Sequence, residues 1–182
     1  MARESSAAIG ADEPPEPTRA ERKEARLASR FLDVALGAIP LPLRVLDIGC
    51  RYGDLLAECG ERVPNVIELV GVDADPVAIE EARRWAGDAA RFHVASAADL
   101  PFPDEHFDLV VSLMSFSRWG SPRRGLAEVR RVLHPAGVFV VADAGTTGVP
   151  AALAAAGLRP VRREPLTRKL FGSGVQAFLS SR

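Results

Sequence analysis

With 182 residues, 47% of them hydrophobic and 26% charged, the chain has the size and composition of one globular domain with a sizeable core. No apolar stretch approaches the roughly 20 residues needed to span a bilayer, and residues 1–17 lack the apolar run of a secretory signal. Two cysteines, Cys50 and Cys59, are too few for a disulfide framework, and no His/Cys cluster accompanies them to hold a metal, so a reducing, cytoplasmic setting is expected.

Charge is uneven. Residues 1–117 hold 12 Lys/Arg against 21 Asp/Glu, whereas residues 118–182 hold 11 against 3. A basic third of this kind suits an anionic partner, but its arginines fall singly and in pairs, which fits solvated helix faces better.

In chain order, residues 1–17 are rich in Ala, Pro and acidic groups without periodicity, which predicts a disordered tail ahead of one domain over 18–182. Thr18 to Leu36 reads as a helix, stopped by Pro40 and Pro42. Leu43 to Ile48 is a short buried strand, followed by a glycine-containing turn and a helix from Asp54 to Arg62. Ile67 to Val72 is a second strand ending in Asp73. The next helix starts at Pro76 and is expected to bury Val77, Ile79, Ala82 and Trp85. Arg91 to Ala95 and Phe107 to Leu113 are the third and fourth strands. A helix follows from Pro122 to about Leu133, a turn at Pro135-Ala136-Gly137, and a fifth strand from Val138 to Ala142. A short helix (Pro150 to Ala156) and strands near Leu158 to Arg163 and Val175 to Leu179 complete the pattern.

Nearly uniform apolar strands alternating with helices predict an α/β fold: a doubly wound, mostly parallel, seven-stranded sheet with helices on both faces. Ligands of such sheets bind outside the carboxyl ends of the strands, where the strand order reverses.

The strongest local signal is Val45-Leu46-Asp47-Ile48-Gly49-Cys50-Arg51-Tyr52-Gly53. Glycines at a strand-to-helix turn admit a ligand close to the backbone and offer amide donors. Asp73, twenty residues beyond Gly53, is predicted at the tip of the second strand, where a carboxylate accepts hydrogen bonds from both ribose hydroxyls. Asp75, ahead of Pro76, reads instead as a helix cap. The turn departs from the G-x-G-x-x-G that a dinucleotide pyrophosphate requires, which disfavours a nicotinamide cofactor.

Together with Gly71–Pro76, Ala98–Pro103, Phe107–Ser112 and Glu128–Gly137, this stretch resembles the class I Rossmann-like methyltransferases that use S-adenosyl-L-methionine. The resemblance is greatest to the small-domain type of ubiquinone and menaquinone biosynthesis. It implies that Asp47, Gly49, Cys50 and Gly53 hold the methionine part of the cofactor, that Asp73 holds the ribose, and that Ala74, Ala97 and Asp99 border the adenine. It also implies that Ser112 lies against the cofactor; Ser115 and Arg118, by their place after the fourth strand, are the substrate-side candidates. Arg51 replaces the family's middle glycine, Ser96 replaces an Asp that often reaches adenine, and Ser117-Arg118 replaces a frequent His-His pair.

No general base is identified. His93, His106 and His134 fall away from the ligand-facing loops and read as structural. Whether Ser115 and Arg118, after the fourth strand, orient an acceptor, or Phe116 and Trp119 are simply core with Arg118 solvated, stays open. The expected function is methyl transfer to a small-molecule acceptor. RNA or protein as acceptor is the less favoured alternative, and a methyltransferase-like binding domain without catalysis comes third.

Overall fold

The computed structural model describes residues 18–40, 44–144, 148–167 and 174–182, so the tail expected over residues 1–17 lies outside it. Chain order is α1 (Arg19–Leu36), β1 (Arg44–Ile48), α2 (Asp54–Arg62), β2 (Glu68–Asp73), α3 (Pro76–Ala86), β3 (Arg91–Val94), β4 (Phe107–Leu113), α4 (Pro122–Val132), β5 (Leu133–Asp143), α5 (Val149–Ala155), β6 (Arg159–Pro165) and β7 (Gln176–Ser181). The seven strands form one sheet in the order β3-β2-β1-β4-β5-β7-β6. β1 to β5 are parallel, and β7 runs antiparallel to both β5 and β6. The predicted doubly wound sheet is therefore present, and its order reverses between β1 and β4.

Strand side chains alternate between two apolar clusters. Val45 and Leu69 join Phe31 and Leu32 of α1, Leu55, Leu56 and Cys59 of α2, and Ile79 and Ala82 of α3. Leu46, Ile48, Val70 and Val72 join Leu126, Val129 and Val132 of α4 and Leu153 of α5 on the other face. With apolar packing on both faces, β1, β2 and β4 read as continuous apolar runs rather than as alternating strands. α1 is nucleated by a capping box: the Glu21 amide donates to Thr18 Oγ1 at 3.2 Å, and the Thr18 amide donates to Glu21 Oε2 at 2.6 Å.

Two expectations fail for geometric reasons. Val77 and Trp85 are 65% and 80% exposed, because α3 buries Ala78, Ile79 and Ala82. At 100° per residue, Val77 lies about 160° and Trp85 about 120° around the helix from Ile79. The turn at Pro135-Ala136-Gly137 is an excursion inside β5: Leu133 already pairs with Phe107, and register resumes at Val138 opposite Leu109. Pro135 is tolerated because it sits in this irregular, exposed stretch.

A charged clamp on α4 fixes the chain between β3 and β4. Arg131 donates to the carbonyls of Leu100 (2.9 Å) and Phe102 (2.6 Å) and pairs with Glu128 (2.7 Å) and Asp104 (2.9 Å). Glu128 Oε2 in turn accepts the Leu100 amide at 2.9 Å. Arg131→Leu strands two carbonyls and the Glu128 carboxylate, so urea unfolding should show a loss of about 2 kcal/mol. A loss below about 0.5 kcal/mol, the level of ordinary surface substitutions, would contradict this role.

Candidate active site

β1 ends at Ile48, and the chain turns through Gly49, Cys50, Arg51, Tyr52 and Gly53 into α2. Three of these residues have positive φ: Gly49 (+83°), Arg51 (+48°) and Gly53 (+87°). A Cβ on Gly49 would overlap Cβ and Oγ of Ser115, and one on Gly53 would lie 2.7 Å from the Phe92 ring. Neither position admits a side chain. Arg51 adopts the left-handed conformation that a glycine takes without penalty, at a cost of about 1 kcal/mol. Its amide donates to Asp73 Oδ2 at 3.1 Å, and its guanidinium lies over the Tyr52 ring, 5.2 Å from the centroid.

The amides of this turn are largely engaged inside the protein. Gly49 and Cys50 donate to the Val72 carbonyl at 2.8 and 3.1 Å, and Gly53 donates to Cys50 at 2.9 Å. The expected supply of free donors from these glycines is thus corrected. What the turn offers is close backbone approach, with its base sewn to β2.

Beneath the turn, at the carboxyl end of β1, Asp47 is 2% exposed and its Oδ1 has no hydrogen-bond partner. Burial, with the Asp73 charge adding to it, pushes the Asp47 carboxyl up to about 7. Burial likewise drives the Cys50 thiol far above its ordinary value, so it is no nucleophile. Asp73 closes β2 half-buried; its Oδ1 accepts the Asp75 amide at 3.0 Å and its Oδ2 the Arg51 amide. Each carboxylate oxygen keeps a further acceptor site, so two ribose hydroxyls remain chemically admissible. Ala74 next to it is exposed, and Asp75 caps α3 by accepting the Val77 amide at 2.9 Å.

After β3, the Ser96 hydroxyl accepts the Ala98 amide at 3.2 Å, and the Ser96 carbonyl accepts that of Asp99 at 3.0 Å. This tight turn leaves the Asp99 side chain exposed and buries Ala97 in the core cluster under α4. Only the backbone at Ala97 is therefore suited to border a ligand.

On the β4 side, Ser112 and Ser115 are buried and their hydroxyls bond each other at 2.7 Å, while Ser115 Oγ donates to the Ile48 carbonyl at 2.7 Å. Both side chains thus lock β4 to the end of β1. Asp143, at the end of β5 and 4% exposed, accepts the amides of Ser117 and Ala144, both at 2.7 Å. Sequence reasoning passed over Asp143, although an acidic residue ending the fifth strand at the ligand edge was a usable signal. Arg118 closes the short 3₁₀ turn Phe116–Arg118 and is exposed.

The histidines lie elsewhere. His106 Nε2 is 2.6 Å from Glu68 Oε2 at the amino ends of β4 and β2, His134 Nδ1 accepts the Ala136 amide, and His93 packs edge-on against Phe102. Among the described residues, no group of three His, Cys, Asp or Glu side chains is placed to hold a metal.

The strand switch is thus acidic: a buried carboxyl with one unpartnered oxygen, a second carboxylate with acceptor capacity, and a turn whose glycines leave no room for side chains. It fits a ligand that carries a cationic group and a vicinal diol, as S-adenosylmethionine does. In the free protein the raised Asp47 carboxyl contributes stability that is full below pH 4 and is lost as pH rises through about 7. Asp47→Asn should remove that loss, leaving the variant more stable than the parent at pH 8 by on the order of 2–4 kcal/mol and nearly equal at about pH 3.5 in urea unfolding. A constant difference across pH would show that Asp47 titrates normally.

Comparison with known proteins agrees with the geometry. The family model described as a methyltransferase domain matches residues 46–141. A demethylmenaquinone methyltransferase of Deinococcus radiodurans is 40% identical over 105 residues, covering 56% of this chain and 43% of that protein. One of Thermus thermophilus is 39% identical over 121 residues, covering 65% and 54%. The chain thus spans about half the length of these curated relatives. A solved SAM-dependent methyltransferase from Aquifex aeolicus shares the fold with a TM-score of 0.73 at 17% identity, covering 91% of this chain and 98% of that one. With its family match running from β1 into β5, over more than half of its residues, the chain belongs to the methyltransferase domain family.

Proposed function

We propose that this chain binds S-adenosylmethionine in the crevice between β1, β2 and β4 and transfers its methyl group to a small-molecule acceptor. The observation that carries this reading is the orphaned Oδ1 of Asp47, buried beneath a turn whose glycines exclude side chains. An uncompensated buried carboxyl is costly unless a ligand completes it, and a cationic amino-acid moiety is the natural complement.

The cofactor, when bound, supplies an electrophilic methyl group on a sulfonium. The chain supplies position. Asp47 holds the cationic end, Asp73 accepts from the ribose, Ala74 and the backbone of Ala97–Leu100 border the adenine, and Asp99 stands exposed at that edge. In-line displacement is accelerated chiefly by alignment, so the lack of a general base among these residues suits an acceptor that needs no early proton loss. The Ser112–Ser115 pair and Asp143 keep the acceptor-side loop rigid enough for that alignment.

The relatives named demethylmenaquinone methyltransferases support a small-molecule acceptor. The two free, buried cysteines fit a reducing compartment, and we place the protein in the cytoplasm. Among the described residues, no helix is long and apolar enough to cross a membrane.

Calorimetric titration with S-adenosylmethionine and S-adenosylhomocysteine should show micromolar binding. Asp73→Asn should weaken it by about 10- to 100-fold, the worth of charge-assisted hydrogen bonds to the ribose. Radiolabelled methyl transfer to a fractionated lysate should appear in the small-molecule fraction. No binding of either ligand overturns the reading, and binding without transfer to any fraction leaves a ligand-binding domain without catalysis.

A further inference from the structure

The turn between β1 and α2 carries one residue that its backbone disfavours. Arg51 stands between Gly49 and Gly53 with φ +48°, a left-handed conformation that a glycine would take without strain. Four described residues other than glycine have positive φ. Asn65 and Glu105 precede β2 and β4, at the amino ends of the strands, whereas Arg51 and Met114 follow β1 and β4 at the ligand edge. Backbone strain gathers where a side chain or a loop must meet a ligand.

The backbone of this turn has little to give an anion. The amides of Gly49 and Cys50 go to the Val72 carbonyl, that of Gly53 to the Cys50 carbonyl, and that of Arg51 to the Asp73 carboxylate. α2 then begins at Asp54, whose charge already complements the helix dipole and repels a second anion from the first turn. Asp47 and Asp73 suit a cation and a diol, and both repel a carboxylate. From Gly49 to Gly53 the sequence holds one cation, Arg51.

The Arg51 side chain is free to act as that donor. Its guanidinium lies over the Tyr52 ring, 5.2 Å from the centroid, and both residues are exposed. Stacking engages the flat face of a guanidinium and leaves its in-plane N–H donors for a carboxylate.

We propose that Arg51 holds the carboxylate of the cofactor's amino-acid end while Asp47 takes its ammonium group, so that the turn recognises a zwitterion. This rests on the reading of the crevice as an S-adenosylmethionine site, and the role of the arginine is tested separately from it. A glycine at position 51 would relax the turn but remove its cation. The forked, charge-assisted pair gives the amino-acid end an anchor that a neutral side chain cannot supply.

The full chain is titrated calorimetrically with three ligands. They are S-adenosylhomocysteine, its decarboxylated analogue, which keeps the amine, and 5′-methylthioadenosine, which lacks both groups. The parent should bind S-adenosylhomocysteine at least about tenfold more tightly than the decarboxylated analogue. Arg51→Gly should lose most of that margin while binding the other two ligands as the parent does. Glycine adopts this conformation freely, so the urea midpoint of the variant should not fall below that of the parent.

Arg51→Gly binding S-adenosylhomocysteine as tightly as the parent, or more tightly, overturns the proposal; tighter binding would show that the side chain obstructs the cofactor. Equal affinity of the parent for S-adenosylhomocysteine and the decarboxylated analogue also overturns it. So does equal weakening of all three ligands in the variant, with or without a lower urea midpoint, which would confine Arg51 to shaping the turn. Should neither S-adenosylhomocysteine nor 5′-methylthioadenosine bind the parent, the cofactor reading falls and this inference with it. Binding of both with an unchanged margin in the variant rejects the role of Arg51 alone.

Discussion

The site depends on how three strand ends are tied around one buried carboxyl. Val72 of β2 accepts the amides of Gly49 and Cys50, and Ile48 of β1 accepts the hydroxyl of Ser115 from beyond β4. These bonds close the turn over Asp47 and exclude protein partners from its Oδ1. The apolar packing that makes β1 a good central strand is also what desolvates the aspartate at its end. Folding energy from the sheet thus holds this carboxyl where its charged form is disfavoured, a penalty that protonation relieves and a ligand cation would relieve.

From that constraint the division of labour across the crevice follows. The β1–β2 side carries two carboxyls, with Asp73 near enough to add to the burial that disfavours ionisation of Asp47. On the β4–α4 side, Asp143 anchors the chain after β4 from underneath. The Arg131–Glu128 clamp performs the corresponding structural task for the loop after β3.

Much of this was legible in the sequence, where local chemistry and tertiary context agree. β4 and α2 have the expected bounds because a mostly apolar run and an amphipathic segment between Gly53 and Pro64 each admit one reading. The wrong inner face of α3 arose because Val77 and Trp85 are apolar, although periodicity measured from Ile79 places both outside. Pro135 and Gly137 signalled a turn, and pairing on either side absorbed it into β5 as an irregularity. At the site, residue types were readable but their engagements were not. Ser112 and Ser115 stood in ligand-facing positions by spacing, yet which hydroxyl bonds which carbonyl depends on the approach of β1 and β4, separated by more than sixty residues.

The central claim is that a ligand cation relieves Asp47. Proton exchange on binding tests it most directly: S-adenosylhomocysteine is titrated at pH 7 in buffers of differing ionisation enthalpy. With the free carboxyl near 7, a cation beside it lowers that value, so binding should release a substantial fraction of a proton, and Asp47→Asn should release none. Binding without proton release by the parent, or equal release by the variant, would contradict the account.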